Sequence, residues 1–189
     1  MRTVQGAIDL IPANNTTKRY INIRNGTYQE IVRVSSKHNL AFRGQNRKRT
    51  VIAYPNNSNL NASTNTRPLF NVAANDVSFD NLTLHNTTPD GGSQAESLRV
   101  NAQRCVVNNC DLRSYQDTFL VNSAADTAYF KDCLVEGDAD RFGEALAAEN
   151  DELVVDLDQA GELARLQREG FFLNGGLAAV AFDGRDFAA

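Results

Sequence analysis

The sequence predicts an all-β protein built as a β-solenoid, in which short strands wind into stacked coils. Two observations predict this fold. Segments that begin near residues 40, 77, 105 and 128 align so that apolar residues share columns, one of which contains Phe42, Phe79, Val107 and Phe130. A polar column follows two positions later and contains Asn81, Asn109 and Asp132. Such coils cannot bury an apolar face alone, so stacked neighbours supply the core.

The polar column is the expected place for the corners of the coils. Asparagine tolerates the left-handed conformation and can hydrogen-bond the same residue one coil away. Strands of neighbouring coils are expected ~4.8 Å apart. The next column contains Leu82, Cys110 and Cys133. Its cysteines are predicted to stack inside the solenoid as small apolar groups, and a disulfide between them is left open.

Helix and strand signals precede the repeats. Apolar residues at helical spacing predict a helix that begins near Val4 and ends at Pro12. Strands are predicted at residues 20–23 and 31–34, with a turn at Asn25 and Gly26 between them. Together with the repeats, these elements form a predicted parallel β-helix domain over residues 1–143.

The composition changes at residue 144. Residues 144–189 are rich in Ala, Leu, Gly and charged residues and contain no repeat. Apolar spacing predicts an amphipathic helix within residues 151–168, ended by Gly170. Two interpretations stay open: a helical cap that covers the open edge of the solenoid, or a segment foreign to the domain.

Composition and charge exclude several classes of function. The 189 residues suit a single domain with a substantial core. A net charge of -4 argues against nucleic acid as a partner, and the short basic run at residues 47–49 is predicted to be a solvated loop. No apolar stretch approaches the ~20 residues that cross a bilayer, and no signal peptide is expected in this sequence. The three cysteines do not have the spacing of metal ligands. With only two histidines, neither a zinc site nor a histidine-based hydrolase is expected.

Two acidic motifs carry the strongest chemical signal. Residues 116–119 read Gln-Asp-Thr-Phe, and residues 138–140 read Asp-Ala-Asp. They place Asp117 and Asp140 at matching ends of successive coils, beside the amide of Gln116. A nucleophile, an acid/base and an oxyanion donor held together can attack an ester or glycosidic bond without a metal.

Five ordered motifs extend this signal. They are Thr-Val-Gln-Gly-Ala-Ile-Asp at 3–9, Gly-Thr-Tyr-Gln-Glu at 26–30, Gln-Ala-Glu-Ser-Leu at 94–98, Gln-Asp-Thr-Phe at 116–119 and Val-Glu-Gly-Asp-Ala-Asp at 135–140. In this order they resemble the pectin methylesterases, or pectinesterases, over residues 3–143. The resemblance implies a right-handed parallel β-helix with a pectin cleft along one face, and hydrolysis of galacturonate methyl esters with release of methanol.

The resemblance also assigns roles to residues of the predicted site. Asp140 would be the nucleophile, and Asp117 would act first as general acid and then as general base. Gln94 and Gln116 would donate hydrogen bonds to the oxyanion. No metal and no cofactor is implied. A second carboxylate nearby should raise one of the two carboxyl pKa values, which keeps an acid protonated near neutral pH.

Substrate contacts are expected from tyrosine and phenylalanine, because the chain has no tryptophan. The candidates are Tyr28, Tyr115, Phe119 and Phe142, with Tyr28 and Glu30 more structural or cleft-edge than catalytic. The expected partner is methylated homogalacturonan, with no nucleic acid and no membrane. By family resemblance the protein is expected to be a monomer, secreted or in the cell wall.

The sequence departs from the family pattern after Asp140. Arg141, Phe142 and Gly143 replace a longer aromatic-apolar run, and the family's Leu-Gly-Arg-Pro-Trp motif is absent. The first alternative is therefore a catalytically impaired β-helix that only binds polygalacturonate. A calcium-dependent lyase or a galacturonan hydrolase of similar architecture is a second alternative, and a purely structural solenoid is a third.

Overall fold

A computed structural model describes residues 2–123 and 125–137, together with the backbone of three strands farther along the chain. Helix α1 spans Val4–Asp9. The strands of the coils are β1 (Arg19–Ile23), β2 (Gly26–Tyr28), β3 (Val32–Ser35), β4 (Leu40–Gly44), β5 (Thr50–Tyr54), β6 (Phe70–Ala73), β7 (Ser78–Asp80), β8 (Thr83–Asn86), β9 (Leu98–Val100), β10 (Cys105–Asn108), β11 (Asp111–Arg113), β12 (Phe119–Val121), β13 (Thr127–Lys131) and β14 (Cys133–Gly137). The three later strands are β15 (Val154–Leu157), β16 (Ala164–Arg168) and β17 (Phe171–Asn174).

The strands wind into stacked coils that form three sheets. Sheet A has the spatial order β1-β4-β7-β10-β13-β17, sheet B has β15-β16-β14-β11-β8-β5-β2, and sheet C has β12-β9-β6-β3. Among β1 to β14, each strand pairs in parallel with the strand three places later in the chain. Each coil therefore contributes one strand to each sheet. The predicted all-β parallel solenoid is confirmed.

The predicted apolar column lies in sheet A. Phe79 pairs in register with Phe42 on one side and Val107 on the other, and Val107 pairs with Phe130. All four side chains are buried. The rings of Phe42 and Phe79 stack with centroids 5.2 Å apart, and the ring of Phe70 from sheet C meets Phe79 edge-on at 4.9 Å. Stacked and edge-on rings stabilise the core beyond the area that they bury.

The predicted polar column forms the corner between sheets A and B, here called the A–B corner. Asn81, Asn109 and Asp132 have left-handed φ angles of 60°, 50° and 52°. Nδ2 of Asn109 donates to Oδ1 of Asn81 (3.0 Å), and Nδ2 of Asn81 donates to the carbonyl oxygen of Gly44 (3.0 Å). The short polar side chains tolerate this conformation and link each coil to the next.

Arg47 is not solvated as predicted, because it reaches across the A–B corner. Its guanidinium forms an ion pair with the buried carboxylate of Asp111, and it donates to Oδ1 of Asn109 (3.2 Å) and to the carbonyl oxygen of Asp132 (2.9 Å). Nζ of Lys48 lies 2.6 Å from the second Asp111 oxygen. Burial raises the pKa of Asp111, but the bonds from Lys48 and Arg47 outweigh it and leave the pKa below its ordinary value. Arg47 and Lys48 thus clamp successive coils, while Arg49 is exposed.

The three cysteines are buried and carry free thiols. Cys110 and Cys133 lie in the core, as predicted, and the disulfide that was left open is not formed. Burial raises the pKa of Cys105 to about 12 and also raises the pKa values of Cys110 and Cys133. These thiols therefore act as small apolar groups rather than nucleophiles.

Helix α1 covers the first coil. Thr3 caps the helix by accepting a hydrogen bond from the amide of Gly6 (3.1 Å). The carboxylate of Glu30 accepts from the amides of Val4 (2.7 Å) and Gln5 (2.9 Å), so it satisfies two donors at the helix N-terminus. The glutamate of the motif at 26–30 is therefore structural. In the described residues, no helix has the length and apolarity to span a membrane.

The helix predicted over residues 151–168 is wrong in the part that the structure describes. Residues 154–157 and 164–168 form β15 and β16. Strand β16 pairs antiparallel with β14 and β15, and β17 pairs antiparallel with β13. Without these partners, the edge strands β13 and β14 of the last coil would present unpaired backbone groups. Pairing with that edge overrides the weak helical propensity of β15 and β16.

Candidate active site

The turns that join sheet B to sheet C lie along one edge of the solenoid, here called the B–C corner. Beyond the turn of the first coil, residues 29–31 between β2 and β3, they comprise residues 55–69 between β5 and β6, residues 87–97 between β8 and β9, and residues 114–118 between β11 and β12. Gln94 lies in the second of these turns, and Gln116 and Asp117 lie in the third. The structure therefore brings these three predicted residues to neighbouring coils, which are spaced ~4.8 Å apart.

Hydrogen bonds fix the backbone of the turn at 114–118. The hydroxyl of Ser114 donates to the carbonyl oxygen of Ala95 (2.5 Å). The hydroxyl of Thr118 lies 3.2 Å from the carbonyl oxygens of Ser114 and Glu136. The carbonyl oxygen of Thr118 accepts from the amide (2.9 Å) and hydroxyl (2.7 Å) of Ser97. The turn is thereby tied to the coils on both sides, which holds Gln116 and Asp117 between them.

Asp117 occupies a special backbone position in this turn. Its φ is 55°, in the left-handed region that few residues other than glycine, asparagine and aspartate adopt. Both Gln116 and Asp117 are half-buried. A partly desolvated carboxylate and amide interact more strongly with a ligand than fully hydrated groups do.

A buried ion cluster lies under the corner. Glu96 is fully buried, and Nε of Arg67 lies 2.9 Å from each of its carboxylate oxygens. Nη1 of Arg99 lies 3.2 Å from Glu96 Oε1. Arg99 also donates to the side-chain oxygens of Asn101 (3.2 Å) and Asn122. Buried charges require partners, and here one carboxylate is held by two guanidinium groups, which leaves the cluster with a net positive charge.

Arg67 connects this cluster to a predicted site residue. Its Nη1 donates to the side-chain oxygen of Gln94 at 2.6 Å. The main-chain carbonyl oxygen of Gln94 accepts from the amide of Ser58 (3.0 Å), so the backbone is fixed as well. The Gln94 side chain is otherwise exposed. An exposed glutamine is thus held at both its backbone and its amide.

The charges of the cluster also act on Asp117. The hydrogen bond to Glu96 is the largest cause that raises the pKa of Arg67, and the charge of Asp117 raises it further. Burial lowers the pKa of Arg99, while the charges of Glu96 and Asp117 act in the opposite direction. The Asp117 carboxylate therefore lies within the field of both guanidinium groups.

Sequence reasoning missed Arg67, Glu96 and Arg99. Glu96 and Arg99 flank Ser97 and Leu98 at the start of a strand, and charged residues beside a buried strand indicate buried ionic partners. That signal was present in the sequence. Arg67 comes from the longest turn of the corner, and nothing in the sequence indicated that it points toward Glu96.

The predicted substrate-contact residues fall in different environments. Tyr115 lies in the turn at 114–118 and is 46% exposed. Phe119 packs on the core, with its ring centroid 4.5 Å from that of Phe130. Tyr28 also packs on the core and pairs in register with the buried Ile52, in the first coil. Tyr115 is therefore the ring, among these three, that the B–C corner presents to solvent.

Asp140 and Phe142 lie outside the described residues. Strands β11 and β14 are neighbours in sheet B, with Arg113 paired in register with Glu136. The sequence places Asp140 four residues after Glu136, and Asp117 follows Arg113 by the same number. This spacing is the basis for expecting Asp140 at the B–C corner, one coil beyond Asp117.

The predicted site residues in the described part of the corner supply one carboxylate, that of Asp117, and two neutral amides, those of Gln94 and Gln116. A carboxylate can transfer protons as a general acid or base. Neutral amides can stabilise a developing oxyanion without neutralising a nucleophile. Over residues 2–123 and 125–137, no three His, Cys, Asp or Glu side chains are grouped so as to hold a metal ion.

The chain resembles known proteins in both sequence and fold. The pectinesterase family model matches residues 1–155. Pectinesterase 4 of Arabidopsis thaliana is 34% identical over 158 residues, which cover 82% of this chain and 26% of that relative. The fold is similar to that of pectin methylesterase from carrot, at 28% identity and a TM-score of 0.69, over 74% of this chain and 43% of that chain.

A further solved structure is a pectin methylesterase in complex with a hexasaccharide. It is 25% identical, with a TM-score of 0.62, over 74% of this chain and 46% of that chain. The chain thus spans between a quarter and a half of the length of these three proteins.

Proposed function

We propose that this chain, which belongs to the pectinesterase family, hydrolyses methyl esters of galacturonate units in pectin and releases methanol. The observation that carries the proposal is the B–C corner, where Gln94, Gln116 and Asp117 lie on the turns of adjacent coils. The similarity to proteins named as pectin methylesterases supports the substrate, and one of them was solved with a bound hexasaccharide. The proposed substrate is methylated homogalacturonan.

In the proposed first step, the carboxylate of Asp140 attacks the carbonyl carbon of the methyl ester. A bond forms between the Asp140 oxygen and that carbon, and the π electron pair of the carbonyl group moves onto the carbonyl oxygen. The side-chain amides of Gln94 and Gln116 donate hydrogen bonds to the resulting oxyanion. A carboxylate is a weak nucleophile, so its position and partial desolvation are essential.

In the proposed second step, the tetrahedral intermediate expels the methoxy group, which takes a proton from Asp117 and leaves as methanol. An anhydride between Asp140 and the sugar carboxyl group remains. Asp117, now ionised, removes a proton from water, and the hydroxide attacks the anhydride carbonyl. Cleavage regenerates the Asp140 carboxylate and releases the galacturonate acid.

Substrate binding is proposed to involve stacking of sugar rings on aromatic side chains. Tyr115 is the exposed ring beside Asp117 and Gln116 in the same turn, while Phe142 remains a prediction from the sequence. Phe119 and Tyr28 would act through the packing of the cleft walls. The proposed site of action is outside the cell, on cell-wall pectin, with the protein as a monomer.

The test is methanol release from highly methylated pectin without added calcium. We expect Asp117→Asn and Asp140→Asn each to lower the turnover rate by about 10²- to 10⁴-fold. Asp90→Asn is the matched control, because Asp90 is exposed in another turn of the B–C corner, and it should leave turnover unchanged. Turnover that survives both Asp117→Asn and Asp140→Asn would refute the assigned roles.

A catalytically impaired solenoid that only binds polygalacturonate is the second candidate. The absence of the Leu-Gly-Arg-Pro-Trp motif after Asp140 favours it. Under this alternative, the folded protein releases no methanol but binds de-esterified polygalacturonate in an equilibrium assay. Methanol release that depends on Asp117 excludes it.

A further inference from the structure

The buried cluster of Glu96, Arg67 and Arg99 does more than pair opposite charges, because Arg67 also contacts the side chain of Gln94. Arg67 uses three nitrogens: its Nε and Nη2 contact the Glu96 carboxylate at 2.9 and 2.7 Å, and its Nη1 contacts Gln94 at 2.6 Å. The Arg67 side chain is only 11% exposed. The fork geometry of a guanidinium lets one arginine hold two partners at fixed angles.

The contact with Arg67 determines which end of the Gln94 amide faces outward. A guanidinium has donors and no acceptor, so only the oxygen of the Gln94 carboxamide can face it. The orientation of this amide therefore follows from chemistry rather than from a choice between two similar atoms. The Nε2 donors of Gln94 consequently point away from Arg67, and Gln94 itself is exposed at the B–C corner.

We propose that Arg67, anchored by the buried carboxylate of Glu96, is a positioning residue that orients the amide donors of Gln94 toward the substrate oxyanion. This role rests on the proposed ester hydrolysis, in which Gln94 is an oxyanion donor. Preorganised donors stabilise a transition state because they need not reorient during the reaction. Arg67 prevents the flip of the Gln94 amide, which would otherwise turn its oxygen toward the oxyanion.

Glu96 supplies the anchor that makes this orientation rigid. Its carboxylate is fully buried and also accepts from Arg99 at 3.2 Å. A buried carboxylate with two guanidinium partners fixes both side chains, because breaking either contact leaves an uncompensated charge. Glu96 follows Gln94 by two residues in the chain. Arg67, which is anchored on Glu96, therefore moves together with the Gln94 side chain that it orients.

The first test measures the orientation of Gln94 without requiring turnover. The side-chain amide signals of Gln94 are identified in a ¹⁵N-labelled protein by their loss in Gln94→Ala. In Arg67→Lys we expect these signals to move to the positions of solvent-exposed glutamine amides, because lysine keeps the charge against Glu96 but has no fork. Arg104→Gln is the control, since Arg104 pairs with Asp76 on the surface, and should leave the signals unchanged. Unchanged Gln94 signals in Arg67→Lys would overturn the proposal.

The second test is a kinetic double-mutant cycle on methyl ester hydrolysis. We expect Arg67→Lys to lower kcat by about tenfold to a hundredfold, with KM within about twofold, because oriented oxyanion donors act in the transition state. In the Gln94→Ala background, Arg67→Lys should cause no further loss, since its effect passes through Gln94. Losses that multiply would show that Arg67 acts independently of Gln94 and would refute the inference.

Gln94→Glu separates folding from positioning should Arg67→Lys fail to fold. A glutamate at this position keeps an oxygen for Arg67 and removes both donors, so we expect unchanged or increased stability together with a loss of turnover of about a hundredfold. A decrease in stability would contradict the contact between residue 94 and Arg67. A wild-type protein without turnover would refute the proposed function, and the amide signals would still decide the orientation of Gln94.

Discussion

The A–B corner and the B–C corner belong to the same coils but differ in the lengths and the hydrogen bonds of their turns. At the A–B corner, one or two residues join β1 to β2, β7 to β8, β10 to β11 and β13 to β14, and five residues, 45–49, join β4 to β5. Left-handed Asn and Asp residues form a ladder there. At the B–C corner the turns comprise 29–31, 55–69, 87–97 and 114–118, which differ more widely in length. The corner with short turns sets how the coils stack, and the corner with variable turns carries the candidate active site.

The two corners also differ in which groups form hydrogen bonds with their backbone. At the A–B corner, side-chain amides and backbone carbonyls of adjacent coils bond each other directly, as Asn109 does with Asn81 and Asn81 with Gly44. At the B–C corner, side-chain hydroxyls bond backbone carbonyl oxygens: Thr118 bonds Ser114 within the same turn, and Ser114 bonds Ala95 in the neighbouring coil. These bonds do not require turns of equal length. Extra loop length itself costs little free energy, about 0.6 kcal/mol for each doubling. Variation therefore concentrates at the corner that carries chemistry.

The largest effect is expected from removing an amide at the B–C corner. Gln116→Ala should lower turnover of methylated pectin by about 10²- to 10³-fold, equivalent to about 2.7–4 kcal/mol, because it removes an oxyanion donor. The same change at the A–B corner, Gln45→Ala, removes an exposed amide and should leave turnover unchanged. Equal losses of turnover in the two variants, measured as methanol release, would contradict the functional distinction between the corners.

A comparable effect on stability is expected from filling space at the A–B corner. A Cβ atom at Gly44 would lie 2.1 Å from the carbonyl oxygen of Asn81 in the next coil. Gly44→Ala should therefore lower the free energy of unfolding by about 3 kcal/mol or more, because backbone atoms must move.

The matched change at the B–C corner is Gly91→Ala. A Cβ atom there meets nothing within 4 Å, although φ is 72°. Strain at this positive φ should lower the unfolding free energy by only about 1 kcal/mol. Urea unfolding of both variants measures the difference, and a larger loss for Gly91→Ala would contradict the comparison.

A smaller loss is expected from breaking one step of the ladder. Asn109→Ala removes the hydrogen bonds to Asn81 and Arg47 and places alanine at a φ of 50°. We expect a loss of about 2 kcal/mol from the hydrogen bonds and the left-handed strain together. Asn109→Gly removes the same bonds without the strain, so it should recover about half of the loss. Equal losses in the two variants would show that the strain contributes nothing.

The smallest effect is a pH dependence at His85, on the strand that leads into the turn at 87–97. Burial and the charge of Arg113 hold the pKa of His85 below its ordinary value of 6.5, while Glu136 acts in the opposite direction. The unfolded chain therefore binds this proton more readily than the folded protein, and stability falls as the pH drops below about 6.5. In His85→Gln, the urea midpoint should fall less between pH 7.5 and 5.5 than in the wild type. An identical fall in both proteins would contradict this assignment.

The repeating part of the molecule was predictable from its columns. The aligned positions of Phe42, Phe79, Val107 and Phe130 indicated the register, because a one-residue slip would turn every apolar side chain outward. The helix predicted within residues 151–168 was wrong at residues 154–157 and 164–168, which form strands β15 and β16. Local spacing does not reveal an open sheet edge, which exists only after the coils have stacked.

The sequence by itself determined the solenoid, its left-handed polar corner and the candidates Gln94, Gln116 and Asp117, since repeat columns and motifs depend on residue type and order. Only the tertiary structure decided how the coils are tied together. It buried Asp111 beneath Arg47 and Lys48, and it brought Arg67 from a long turn onto Glu96 and Gln94. These partners lie 27 to 64 residues apart in the chain. Their pairing depends on which side chains face each other in neighbouring coils, and no local pattern records that.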